Sequence, residues 1–218
     1  MKKILIVLLA LCILMTGSVM AKKYSAAPSG QGLSTIGTGG DYATLGEASL
    51  DFNSTANTGN WTMEILGDLT EPSNIAFGNE VLSTSTILVK PAAGVTATVT
   101  FSTTTDNTGP SGNFIVGSNT INAYTLYTIN NFIIDGSNNG STTRNLTFQT
   151  STALVGYVYL IRAIGQTPNF QIKNCNVIAN GGTASSNYAV MLSARKVSGQ
   201  AMRADNAQII NNYLVCTA

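Results

Sequence analysis

No histidine occurs in the 218-residue sequence. That removes Ser-His-Asp and Cys-His catalysis, His-ligated metal sites and imidazole proton switching together. Acid–base work falls to ten carboxylates: Asp41, Glu47, Asp51, Glu64, Asp68, Glu71, Glu80, Asp106, Asp135 and Asp205. Glycoside hydrolysis needs two carboxyls about 5–9.5 Å apart, and no Asp-Asp or Asp-x-Asp cluster supplies a local pair. Asp135-Gly136-Ser137-Asn138-Asn139-Gly140 places oxygen-bearing side chains at alternate positions, as a calcium loop does. Position twelve, however, is Leu146, where an EF-hand carries a bidentate Glu. The segment therefore reads as a turn, since Asp, Gly, Ser and Asn favour turns without any metal. No catalytic, cofactor-binding or metal-binding residue is assigned, and no cofactor is expected.

Charged residues make up 10% of the chain, against about a quarter in ordinary soluble domains. A net charge of +1 offers no footprint for nucleic acid, while 44% hydrophobic content is too high for a disordered chain. Lys2 and Lys3 precede an apolar run from Ile4 to Met15 and a small-residue exit, Gly17-Ser18-Val19-Met20-Ala21. Residues 1–21 are a secretory signal peptide in pattern, cut after Ala21, and the apolar run is short for a membrane span. An uncleaved anchor and lipid attachment at Cys12 are the alternatives. Subtracting Lys2 and Lys3 from eleven basic residues leaves nine against ten acidic ones, a charge of −1. The expectation is an exported protein, extracellular or on a bacterial cell surface, with no integral span after signal removal. Asn53, Asn60, Asn139 and Asn145 stand in Asn-x-Ser/Thr sequons, which the bacterial character of the signal makes incidental.

Residues 22–38 form a Gly/Ser/Ala-rich leader. Thr44 followed by Glu47 is a capping box, and Leu45, Ala48 and Phe52 recur at helical spacing, so one short helix starts here. Everything afterwards reads as strands: Trp61–Leu66, Ser85–Val89, and Val95–Phe101 with apolar residues on one face and threonines on the other. Tyr127–Asp135 superposes on Gln171–Ala179 and on Gln208–Cys216, with Asn130, Asn174 and Asn211 in register. A further strand precedes each unit, at Phe114–Val116, Tyr157–Ile161 and Tyr188–Leu192. Three strands per repeat with variable loops predict an all-β fold over residues 39–218: a right-handed parallel β-helix of three sheets with one N-terminal capping helix. An ordinary β-sandwich with chance alignment of Asn-rich loops is the alternative.

Gly39-Gly40-Asp41-Tyr42-Ala43-Thr44-Leu45, with Glu47-Ala48, resembles the opening of pectin-lyase-like parallel β-helix proteins, and the Asn-bend coils resemble their body. The resemblance implies a helix that plugs the N-terminal end of the solenoid. It also brings three chemistries to test against this sequence. A polygalacturonase-like His-Gly pair is impossible here. The methylesterase-like Gln-Asp and Asp-Phe-x-x-Gly patterns are missing, because Phe132-Ile133-Ile134-Asp135-Gly136 puts the aspartate elsewhere. A lyase would need Arg162 or Arg195 as base beside calcium-holding carboxylates, which the sequence does not show.

In the repeat alignment Cys175 matches Asn212 and Cys216 matches Ala179, a four-residue displacement of about 13 Å at strand rise. A disulfide tolerates less than about 7 Å between Cα atoms, so no Cys175–Cys216 bridge is expected. Only three residues follow Val215, which leaves an apolar coil at that end. The expectation is a fragment of a longer protein, or a pairing at that end with another molecule. The function expected is a secreted or surface binding or adhesion protein with a long neutral Thr/Asn/Tyr face for an extracellular polysaccharide or cell-surface glycan. A ligand-free structural stalk and a polysaccharide lyase or hydrolase are the alternatives.

Overall fold

A computed structural model describes residues 32–54, 59–102, 112–118, 126–151, 158–180, 187–193 and 203–217. The segment predicted as a signal peptide, Asp106 and Arg195 lie outside them. The chain enters at β1 (Gly32–Ile36), passes through α1 (Leu45–Ser54) and then repeats a three-strand coil. The first full coil is β2 (Trp61–Ile65), β3 (Leu69–Glu71) and β4 (Ile75–Phe77); the second is β5 (Ile87–Pro91), β6 (Ala97–Phe101) and β7 (Phe114–Val116). The third is β8 (Phe132–Asp135), β9 (Leu146–Thr150) and β10 (Val158–Ile164); the fourth is β11 (Gln171–Lys173), β12 (Cys175–Ala179) and β13 (Asn187–Ser193). β14 (Gln208–Ile210) and β15 (Tyr213–Cys216) follow.

Strands cycle through three sheets, in the orders β1-β2-β5-β8-β11-β14, β3-β6-β9-β12-β15 and β4-β7-β10-β13. Every strand pairing is parallel. This is a parallel β-helix, mostly β with one short helix near its N-terminus. β1 lies within the predicted leader, so the first sheet begins at Gly32 rather than after residue 38. Its inward residues are Ser34, which accepts a hydrogen bond from Trp61 Nε1 at 3.0 Å, and Ile36, so a polar core contact interrupts the apolar alternation.

Period-2 alternation turns one set of side chains inward, and β2, β5, β6 and β9 each alternate buried and half-buried residues. The inward set stacks coil on coil. Phe52 of α1 stands 5.4 Å from Phe77, Phe77 stands 5.3 Å from Phe114, and Phe114 stands 5.6 Å from Phe148, centroid to centroid. Ile209 of β14 and Leu214 of β15 are exposed.

The helix and the residues before it form the cap that the Gly-Asp-Tyr opening encodes. Asp41 accepts from the Thr35 amide and hydroxyl, tying the turn back to β1. Gly40 passes so close to β1 that a Cβ would lie 2.7 Å from Thr35 O. Tyr42 is buried and donates its hydroxyl to Asp51. The Glu47 amide donates to Thr44 Oγ1, as expected of a capping box, while the Glu47 carboxylate reaches one residue further back, to the Ala43 amide.

The repeat register holds for two units and slips for the third. Gln171, Ile172 and Lys173 pair with Gln208, Ile209 and Ile210, as the superposition predicts. They pair on the other side with Ile133, Ile134 and Asp135, six residues from the predicted Tyr127, Thr128 and Ile129. Asn130 consequently leaves the predicted ladder. The slip arises because asparagine bends occur on both sides of the first sheet. One ladder, before the sheet, is Asn131, Asn169 and Asn206; the other, after it, is Asn174 and Asn211, with Gly136 in the matching place one coil earlier. These five asparagines are the non-glycine residues with positive φ among those described, at 50–60°. Asn tolerates this left-handed backbone, and its amide can accept from one neighbouring coil while donating to another. Asn169 Nδ2 donates to Asn131 Oδ1 at 2.9 Å, and Asn211 Nδ2 to Asn174 Oδ1 at 2.8 Å. Gly136 is required by proximity, since a Cβ there would meet Asn174 O at 1.9 Å.

Asn169 sits mid-ladder, so Asn169→Ala loses both amide contacts, worth about 1 kcal/mol or less each at a partly wet site. It also places alanine at φ 60°, which costs about 1–2 kcal/mol. A loss of about 2–3 kcal/mol in urea unfolding is expected, and Asn169→Gly should recover the backbone part. Equal losses for the two variants would show that backbone strain contributes nothing.

The cysteine register is as expected: Cys216 pairs with Ala179, and the Cys175 amide donates to Asn212 Oδ1. Both thiols are free. Burial pushes the Cys175 thiol far above its ordinary range, with the Asp135 charge acting in the same direction.

Candidate functional site

The three outward faces differ in chemistry. On the first sheet, Glu64 and Lys90 form an ion pair at 2.9 Å, and Asp135 and Lys173 another at 3.3 Å. The register carries these four through successive coils in alternating sign, so like charges are not stacked on one another. The sheet of β4, β7, β10 and β13 is buried over β4, β7 and β10, while Tyr188 and Leu192 of β13 are exposed. Ile115 is fully buried and Arg162 only 5% exposed. Arg162 donates to Ser193 Oγ at 3.0 Å and lies over the Tyr159 ring, which stacks on Tyr188.

The face of β3, β6, β9, β12 and β15 is open and neutral. One row across the strands is Thr98, Thr147, Asn176 and Tyr213; the next is Thr70, Thr100, Gln149, Ile178 and Val215. At the usual strand spacing the outer two strands lie about 19 Å apart. The strict alternation in Val95–Phe101 places Thr98 and Thr100 here, as expected of a wet outer surface. Asn176 Nδ2 donates to Thr147 Oγ1 at 3.2 Å and Gln149 Nε2 to Thr100 Oγ1 at 3.1 Å. These links tie side chains of neighbouring coils to one another. Asp68 edges the face, and its carboxylate accepts the Thr98 amide at 2.7 Å. Tyr213 is the tyrosine that the described residues place on this face.

The described carboxylates are engaged in the fold. Asp41, Glu47 and Asp51 hold the cap, as above. Glu80 accepts the Thr128 amide, and Asp205 pairs with Arg203. Glu71 is fully buried and accepts the Leu45 amide at 2.8 Å and the Gly46 amide at 3.0 Å, the first two N–H groups of α1. Burial raises its pKa above the ordinary range, against the two amides, which lower it. Among the described residues no three of His, Cys, Asp and Glu gather into a group that could hold a metal ion.

The segment that mimics a calcium loop is a run of nested turns. Asp135 Oδ1 accepts the Ser137 amide, Ser137 Oγ the Asn139 amide, Asn139 Oδ1 the Ser141 amide, and Ser141 Oγ the Thr143 amide. The alternate oxygens serve side-chain-to-backbone turns. Asp135 also accepts Asn174 Nδ2 and pairs with Lys173.

The arrangement offers a surface of hydroxyls and amides linked from coil to coil. Sequence reasoning missed Thr70, Thr147 and Gln149, because β3 has three residues and β9 lies outside the repeated units. It missed Glu71 because an inward carboxylate breaks the apolar alternation. No family model matches the chain, and comparisons with curated proteins and with solved structures likewise find no match.

Proposed function

We propose that the protein is exported and uses the neutral face of β3, β6, β9, β12 and β15 to bind an uncharged extracellular polymer, a carbohydrate in the first instance. The observation that carries this reading is the run of hydroxyl and amide side chains over successive coils, with no Lys or Arg among them. Such groups both donate and accept, as sugar hydroxyls do. Their links between coils mean that little side-chain freedom is lost on binding. Tyr213 adds an exposed ring for stacking. Lys2, Lys3 and the apolar run behind them support export, and the Gly-Asp-Tyr cap with its parallel coils supports a kinship with pectin-lyase-like β-helices. A structural stalk is the second reading, favoured by the way Asn176 and Gln149 direct their donors at neighbouring threonines.

The test is retention of the purified protein on insoluble neutral polysaccharides and on polyuronates. Retention on a neutral polymer is expected, weakened by tenfold or more in Asn176→Lys, a loss of about 1.4 kcal/mol, with the unfolding midpoint nearly unchanged. Preference for polyuronate would overturn the reading, and no retention on any polysaccharide would leave the stalk.

A further inference from the structure

The turn run after β8 also assembles the elements of a self-modification site, and the geometry points to Asn139 as a position where the chain converts its own amide to aspartyl and isoaspartyl forms. The side-chain carbonyl oxygen of Asn139 accepts three donors: Ser137 Oγ at 3.0 Å, the Ser141 amide at 3.0 Å and Thr143 Oγ1 at 3.5 Å. They polarise the Cγ carbonyl and stand where negative charge develops when it is attacked, as the donors of an oxyanion hole do. The next residue is Gly140, exposed and at φ +74°, so no Cβ obstructs its nitrogen. Among the described residues neither the Gly140 N–H nor Asn139 Nδ2 has a hydrogen-bond partner. The nucleophile and the leaving group are thus both unheld, while the electrophile is fixed.

The chemistry needs only water. Solvent hydroxide removes the Gly140 amide proton, and the nitrogen attacks Asn139 Cγ. The new C–N bond forms as the bond to Nδ2 breaks, and Nδ2 takes up a proton from water and leaves as ammonia. Water then adds to either carbonyl of the resulting succinimide and opens it to aspartate or isoaspartate, with no change of oxidation state. Asn180, also followed by glycine, provides an internal comparison. Its Nδ2 is held by Thr150 O at 3.3 Å and its amide by Thr150 Oγ1 at 2.8 Å.

The site lies in a strap across later coils. Downstream of Asn139, Ser141 O accepts Asn174 Nδ2, Thr142 O accepts Asn211 Nδ2, and Arg144 donates to Asn211 O and Oδ1, both at 2.9 Å. An isoaspartate adds one carbon to the strap backbone and disturbs the tie to β14 and β15.

The test is timed incubation of the full chain at mildly alkaline pH, with peptide mapping and isoaspartyl-methyltransferase labelling. Conversion at Asn139 is expected several-fold ahead of Asn180, rising with pH. Hydrogen exchange over residues 208–216 should be faster in the converted fraction. Ser137→Ala removes one donor and should slow conversion about tenfold, less than the hundredfold or more lost with a catalytic oxyanion donor, because this loop is wet. Equal rates at Asn139 and Asn180, or an unchanged or faster rate in Ser137→Ala, would overturn the proposal.

Discussion

Replacing Phe114 by alanine is expected to lower stability by about 4–6 kcal/mol. Truncating a buried Phe costs about 3–5 kcal/mol in transfer and cavity terms, and each edge-to-face ring pair adds about 0.5–1.5 kcal/mol. Phe114 makes such contacts with Phe132 at 6.1 Å and Phe148 at 5.6 Å, and stacks on Phe77 at 5.3 Å. It thereby joins the coil below to the coil above. A solenoid is held together by interfaces between neighbouring repeats, so the variant should also unfold over a broader denaturant range as its two halves decouple. Tyr213→Ala, on an exposed ring, is the control and should cost about 1 kcal/mol or less. Urea unfolding followed by circular dichroism checks both. A loss under about 1 kcal/mol for Phe114→Ala would mean that the column relaxes to fill the cavity.

Glu71→Ala should cost about 3–5 kcal/mol, because it strands the buried Leu45 amide and the half-buried Gly46 amide of α1 at about 1–3 kcal/mol each and leaves a void beneath the cap. Glu71→Gln keeps one acceptor but turns its NH2 toward the second amide, so a smaller loss of about 1–3 kcal/mol is expected. The pH dependence has a definite sign. Burial raises the folded-state pKa of Glu71 above its ordinary 4.5, so in the window above that value the folded chain holds a proton that the unfolded chain has released. Stability from this group is fully present below the ordinary value and declines as pH rises through the raised one. The gap between wild type and Glu71→Gln should therefore narrow from mildly acidic to neutral pH. A gap that widens would show the two amide donors outweighing burial.

The architecture was legible because three units repeat an Asn bend beside paired aliphatics, and because Val95–Phe101 alternates without a break. Register was only partly legible. Asn130-Asn131 resembles Asn174 in sequence, but Asn131 occupies the bend before the first sheet, where Asn169 and Asn206 stack with it. A side chain chosen for left-handed backbone serves either bend, so composition alone cannot tell them apart. Strands β3 and β4, at three residues each, are too short to show a period. Of the neutral face, Thr98 and Thr100 were visible. The rest comes from β3, β9, β12 and β15, which only the stacking of coils brings alongside.

The backbone hydrogen bonds between coils join parallel strands, evenly spaced and slanted to them, and so run mainly along the solenoid axis. Tension applied along that axis puts every interface between coils under the same load, so the weakest interface opens first. On the side of α1, Glu71, Asp41 and the capping helix lock the first coils to one another. On the side of β14 and β15, Arg144 ties Asn211 back to an earlier coil through its O and Oδ1. That clasp resists separation of β14 from the coils before it, in addition to the strand pairing.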